Sequence, residues 1–447
     1  MITFNINEFR AINNAEVQLD GITVVAGENG SGKSTLSRLL YHTIKISKEY
    51  NALVRDNLVE ELRDIVSALR TIIRDMQIFD RQDNRSSIRL SQLSLNLKED
   101  EDLMDYYYRL SAHIDSIDNH IRILLEKQSN MDNRPYSKRS IIRAEHYIKL
   151  LSNLIDNSDA MLDTEIIFNK LKDIILTKIN DSIKNIEYRP IGLFRNEISS
   201  IFSQKMDNAK FNLCESDIPI TDWDNKILRE PSIIQNSVYI DTPMAIGYHL
   251  DVGGYGYWND LIYTLKNTKP NYSTSTNVET LFQNISGDNI VSGQVYFNDD
   301  IVSQEFVYKR NDGQTFNLEE CATGIKAFGI LQMLLRNGVL SKNTLLIIDE
   351  PEAHLHPQWI VEYARIIVLM HKLIGVKFFI ASHNPDMVSA IRYIAEKEGI
   401  LDSVSYYLAN KTEGYSYTYK SLGVDIDPIF ESFNIALDRI SQYGQID

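Results

Sequence analysis

The sequence predicts a mixed α/β protein whose sheet-forming segments lie towards the two ends of the chain, with a mainly helical insertion between them. Three observations carry that expectation. The first 26 residues alternate or run apolar as strands do, apolar positions from about 51 to 186 recur at helical spacing, and the short apolar runs Thr344–Ile348 and Lys377–Ala381 appear near the far end. Runs apolar on both faces belong to parallel strands covered by helices. The chain accordingly reads as residues 1–48 and 232–447 of one α/β unit, interrupted by a helical insertion over 49–231.

Each element has its own warrant. Ile2, Phe4 and Ile6 alternate with polar residues, Val17 and Leu19 do the same, and Ile22–Ala26 is continuously apolar. Beyond Lys33 the period becomes helical, with Leu36, Leu39, Leu40 and Ile44 on one face. In the insertion, Leu58, Leu62, Ile65, Leu69, Ile72 and Met76 alternate steps of four and three, and so do Leu103, Tyr107, Leu110, Ile114, Ile117, Ile121 and Leu124. Either stripe could be a coiled-coil seam, but Val59, Val66 and Ile73 widen the first one and favour a compact bundle. A polar turn at Asn133, Arg134 and Pro135 precedes further helical patterns at Ile141–Ile155 and Ile166–Ile183. Residues 207–231 carry no clear pattern. Strand patterns return at Ser237–Asp241, Gly293–Phe297 and Gln304–Tyr308.

Composition excludes several classes. With 43 % hydrophobic and 24 % charged residues over 447 positions, neither disorder nor a collagen-like repeat is expected. No apolar run approaches the ~18 residues that span a bilayer, and the start does not read as a signal peptide, so the expectation is a soluble cytoplasmic protein without membrane contact. Cys214 and Cys321 are the only cysteines, which leaves no disulfide framework or thiolate metal site. A net charge of −15 repels nucleic acid on average, so any nucleic-acid contact needs a local basic stripe.

Gly27, Glu28, Asn29, Gly30, Ser31, Gly32, Lys33 and Ser34 form a complete G-x-x-x-x-G-K-S match between an apolar strand and an apolar-periodic helix. The glycines let the backbone turn its N–H groups towards phosphate oxygens, and the helix adds its positive end. Lys33 is then expected to reach β- and γ-phosphates, and the Ser34 hydroxyl to ligate Mg²⁺. Downstream, Thr344–Ile348 runs into Asp349 and Glu350, where parallel sheets place their sites. Asp349 is the candidate Mg²⁺ carboxylate and Glu350 the candidate general base for an attacking water. The second apolar run ends in Ser382 and His383, which puts an imidazole beside the γ-phosphate.

Together, Gly27–Thr35 (GENGSGKST), Leu345–Pro357 (LLIIDEPEAHLHP) and Phe378–Asp386 (FFIASHNPD) resemble the ABC-type ATPase heads of the SMC, RecF and OLD class. The resemblance covers about 45 N-terminal and 215 C-terminal residues. It implies a P-loop head, with ATP and Mg²⁺ sandwiched between two subunits in a homodimer or higher oligomer. The signature motif of such heads aligns with Glu319–Lys326 (EECATGIK), where Ala322 replaces the usual serine. Thr323, Gly324 and Lys326 remain as candidate γ-phosphate contacts, while an ordinary helix start capped by Thr323 is the alternative. Loss of the hydroxyl at 322 puts fast hydrolysis in doubt. Gln82 is a candidate Mg²⁺ ligand of the Q-loop type by chain order only.

Within the class, the 64 residues after His383 are too few for the nuclease domain of OLD enzymes. Asp425 and Asp427 imitate a nuclease DxD, yet Pro428 behind them indicates a turn. Arg139 and His146 have the spacing of HEPN ribonucleases and read as a solvated helix face. What remains is similar to the ATPase subunits of anti-phage systems such as Septu (PtuA type) and PARIS (AriA type). That resemblance implies a scaffold controlling a separately encoded nuclease effector. The alternative is a DNA-repair clamp of RecF or SMC type that grips nucleic acid.

Overall fold

In the computed structural model, the N-terminal alternation builds an antiparallel hairpin of β1 (Ile2–Phe9) and β2 (Ile12–Gln18), with Phe4 opposite Val17. The structure describes residues 1–82, 95–126, 135–155, 164–204, 210–247, 256–267, 275–287, 290–300, 304–353 and 355–431. The continuous apolar run forms β3 (Ile22–Ala26), buried at every residue, and α1 (Lys33–Lys48) follows the glycine-rich loop. Contacts divide the chain into two compact units, Met1–Lys48 with Phe194–Asp447, and Glu49–Leu193.

The second unit holds α2 (Tyr50–Glu61), α3 (Arg63–Gln82), α4 (Leu103–Glu126), α5 (Pro135–Ser152) and α6 (Thr164–Tyr188). The stripe from Leu58 to Met76 is split by a helix break at Leu62, yet all six of its residues are buried in one core with Leu110, Ile114, Tyr147, Leu171 and Ile175. This shared core is a bundle, as the width of the stripe requires.

After α7 (Ile191–Phe202), the segment without a readable pattern adds strands to the first unit. These are β4 (Lys210–Glu215), β5 (Ile218–Pro219), β6 (Thr221–Asp222) and β7 (Ile227–Leu228). β4 pairs antiparallel with β1, placing Leu213 opposite Phe4. The inserted unit therefore ends at Leu193, not at residue 231. A short antiparallel strand needs only alternate residues of its apolar face buried, here Phe211 and Leu213, which is too short a pattern to stand out in sequence.

The remainder of the first unit comprises β8 (Asn236–Ile240), α8 (Gly256–Lys266), α9 (Thr276–Ser286), β9 (Gly293–Asp299), β10 (Gln304–Arg310) and β11 (Thr315–Asn317), then α10 (Thr323–Arg336), β12 (Thr344–Asp349), α11 (Pro357–Ile374), β13 (Lys377–Ser382), α12 (Pro385–Lys397), β14 (Val404–Lys411) and β15 (Tyr417–Gly423). Ten strands form one mixed sheet in the order β5-β4-β1-β2-β15-β14-β3-β13-β12-β8. The five from β14 to β8 are mutually parallel. A separate antiparallel sheet holds β9, β10 and β11. α1 packs against β8, β12 and β13. Leu346, Ile348, Phe378 and Ile380 share a core with Phe328 and Leu331 of α10 and with Ile366 and Ile367 of α11.

Candidate active site at the parallel edge

Strand register brings the sequence candidates together. Ser382 pairs with Ala26, and Asp349 pairs with Ala381, so Gly27, Glu350 and His383 all leave the same C-terminal edge of adjacent strands. This is the edge at which parallel sheets bind ligands.

The loop from Gly27 to Ser34 is shaped by its glycines. Gly30 and Gly32 have φ of 82° and 94°, in the left-handed region that costs other residues strain. A Cβ at Gly32 would meet Ile12 Cγ1 at 3.0 Å, and one at Gly27 would meet Ala409 Cβ at 2.8 Å. The tip of the first hairpin and β14 thus press directly on the loop. Tyr419 of β15 donates its hydroxyl to the Ser31 carbonyl at 3.0 Å. Lys33, 5 % exposed, donates Nζ to the carbonyls of Gly27 (2.8 Å) and Glu28 (3.0 Å). Burial pulls its pKa down, while the charges of Glu350, Asp349 and Glu352 pull it up.

Asp349, 6 % exposed, accepts a hydrogen bond on Oδ2 from the Tyr239 hydroxyl at 3.2 Å, and its Oδ1 is buried without a hydrogen-bond partner. Burial pushes its pKa up to about 6, against the Ser34 and Tyr239 hydroxyls that favour the ionised form. Tyr239 is itself shifted well above the usual phenol range by burial and by the Asp349 charge. Ser34 and Asp349 are hard oxygen donors of the kind Mg²⁺ takes, and the unpartnered Oδ1 is an acceptor open to such an ion. The two residues fit the metal.

Glu350 sits at φ 52°, a left-handed conformation rare outside glycine, and donates its N–H to the Ala381 carbonyl at 2.8 Å. Its Oε1 lies 3.3 Å from His383 Nδ1. The edge therefore presents an ammonium, a hydroxyl, a buried carboxylate and a carboxylate–imidazole pair. That set can bind a polyphosphate, neutralise it and accept a proton from water.

The signature segment stands differently from its expected form. Ala322, not Thr323, occupies the N-cap of α10, and no side chain caps the helix. Gly324 is buried, and a Cβ there would lie 2.0 Å from the indole carbons of Trp359, so close packing of α10 on α11 demands this glycine. Lys326 is buried and donates Nζ to the Glu319 carbonyl at 2.7 Å. No hydrogen bond or ion pair among the described residues joins Thr323, Gly324 or Lys326 to residues 27–34. Gln82 closes α3, in the inserted unit, and its side chain lies outside the described residues. The Arg139 side chain does too, and His146 is an exposed residue of α5. Asp425 accepts the Asp427 N–H at 3.0 Å, as in an Asx turn, and no metal-ligating cluster exists among the described residues.

Tyr239, Asp241 and Glu352 were not among the sequence candidates for the site, and Ser382 was noted there only as the residue before His383. Asp241 follows β8 beside Asp349, accepts from Trp258 Nε1 at 2.6 Å, and has its pKa raised by burial. Glu352 accepts from Ser382 Oγ at 2.8 Å and from the His383 N–H at 2.9 Å. Of Tyr239, Asp241 and Glu352, only the last, an acidic residue two places after Glu350, could have been noticed in sequence.

The family described as "AAA domain, putative AbiEii toxin, Type IV TA system" matches residues 22–389. Among solved structures, the chain is similar to the Smc head domain with an extended coiled coil bound to the C-terminal domain of ScpA from Pyrococcus furiosus. Identity is 13 %, coverage 99 % of this chain and 100 % of that one, and the TM-score 0.33. It is also similar to an SmcHead bound to the C-winged helix domain of ScpA, with 10 % identity, coverage of 96 % and 98 %, and a TM-score of 0.36. No curated protein matches the chain. No helix among the described residues is long and apolar enough to cross a membrane.

Proposed function

For a chain that belongs to the family described as "AAA domain, putative AbiEii toxin, Type IV TA system", we propose an ATP-binding and ATP-hydrolysing subunit. The observation that carries this reading is the meeting of Lys33, Ser34, Asp349 and Glu350 at one edge of the parallel sheet. The loop Gly27–Ser34, with Thr35 in the first turn of α1, cradles the phosphates of ATP, and Lys33 exchanges its two carbonyl partners for phosphate oxygens. Ser34 and Asp349 would hold Mg²⁺, which when bound would neutralise phosphate charge. Glu350 takes a proton from the attacking water, and His383 lies beside it to stabilise the transferring group. A second copy supplies Thr323, Gly324 and Lys326 across a head-to-head dimer, with slow turnover because position 322 has no hydroxyl.

We place this activity in a defence role, in which closure of paired heads controls a separately encoded nuclease effector. The family description, with its toxin–antitoxin vocabulary, favours this over the DNA-clamp alternative. Lys33→Ala tests the reading: ATP binding should be lost while the chain stays folded, because the phosphate charge loses its ammonium. Unchanged affinity would refute it. Co-purification with the neighbouring gene product, beside a DNA-binding assay at physiological salt, separates the effector from the clamp.

A further inference from the structure

The pairing of β12 with β13 ends at Asp349 and Ala381, so the ladder itself does not place His383. Beyond it, the Glu350 N–H reaches back to Ala381, and one buried side chain bridges the two departing segments. Glu352, 6 % exposed, receives the Ser382 hydroxyl at 2.8 Å and the His383 N–H at 2.9 Å, both on Oε1. The same oxygen lies 3.4 Å from His383 Nδ1. Oε2 is buried without a partner. Burial disfavours such a carboxylate, and its pKa is raised accordingly. An arrangement costly to stability at the mouth of a catalytic edge is retained when it positions something.

We propose that Glu352 is a positioning residue of the ATP-hydrolysing site: it ties the end of β13 to the turn after β12 and so holds the His383 imidazole against Glu350. The proposal rests on the hydrolysis reading above. Ser382 completes the tie, since its hydroxyl also accepts the Asn384 N–H at 3.1 Å and fixes the backbone on the far side of His383. Loss of the carboxylate frees that backbone. The imidazole then departs from Glu350 while the phosphate loop, which Glu352 does not hydrogen-bond, keeps its shape.

The test is a double-mutant cycle on the full chain, reading kcat and KM for ATP. Glu352→Ala should lower kcat by at least about tenfold, the scale on which small misplacements act, with KM within about threefold. Glu352→Gln, whose amide oxygen accepts the same two bonds, should recover most of the loss. In a His383→Ala background, Glu352→Ala should change nothing further, since the group it positions is gone. A clamp that merely supports the fold would subtract the same factor in both backgrounds, and that outcome overturns the proposal. So does wild-type kcat in Glu352→Ala, or a Gln variant as impaired as the Ala variant. If Glu352→Ala does not fold, Ser382→Ala, which removes the hydroxyl's two hydrogen bonds and no charge, takes its place in the cycle with the same expectation. A wild-type chain that binds but never hydrolyses ATP overturns this proposal together with the reading beneath it, whereas turnover indifferent to Glu352 overturns this proposal alone.

Discussion

Asp349→Asn should make the metal-free and nucleotide-free protein more stable. The carboxyl is 6 % exposed and its pKa rises from an ordinary 3.8 to about 6 because it is buried. A raised pKa means that the folded state binds the proton more tightly than the unfolded chain does. The ionised form is therefore a penalty, fully present above the folded value and absent below the unfolded one. At roughly 1.4 kcal/mol per pKa unit, the penalty is about 3 kcal/mol at pH 8. It falls to about half that at pH 5 and vanishes below about pH 4. Asparagine keeps the shape and an oxygen for the Tyr239 hydroxyl, and removes the charge. Urea or thermal unfolding in a chelating buffer at pH 8, 6 and 5 should show a gain of a few kcal/mol at pH 8, a rise of several degrees in Tm, that shrinks towards acid. A variant less stable than wild type at pH 8, or a gain that is flat with pH, would refute the desolvation argument. The same substitution should abolish Mg²⁺-dependent ATP hydrolysis, so that stability and activity move in opposite directions.

Gly324→Ala should destabilise the head unit by about 1–3 kcal/mol, because its Cβ collides with the partly buried Trp359 indole. Adding Trp359→Leu should return most of that loss in the same unfolding assay, and an unchanged single variant would remove the packing account of this glycine. Replacing Glu49–Leu193 with a short linker should leave ATP binding intact, since the phosphate loop and its carboxylates all belong to the other unit, and should abolish association with the proposed effector. Effector co-purifying with the shortened chain would move that interface to the head.

What the sequence made legible were features written in consecutive residues. The loop Gly27–Ser34, the strand before it and the two apolar runs ending at Asp349 and Ser382 combine local pattern with fixed spacing, and strand register then carries them to one edge. Features that depend on distant partners were not legible. β4 pairs with β1 from some two hundred residues away, through only two buried apolar side chains, so 207–231 looked like the tail of the insertion. Tyr239 reads as one more strand residue until β8 is seen next to β12, where its hydroxyl meets Asp349. Gly324 matched a phosphate-contacting glycine by position, yet the reason it must be glycine is Trp359, thirty-five residues on. The helix break at Leu62 was hidden because the apolar stripe keeps its phase through it.

The most direct measurement is phosphate release by wild type and Glu350→Gln under saturating ATP and Mg²⁺, with nucleotide binding measured on the same samples. Glutamine keeps the shape of the side chain without its basicity. The wild type should show measurable turnover. In the variant, turnover should fall by two or more orders of magnitude, on the order of what a positioned general base supplies, while ATP remains bound and a closed dimer accumulates. Wild-type turnover in Glu350→Gln would contradict it and place the base elsewhere.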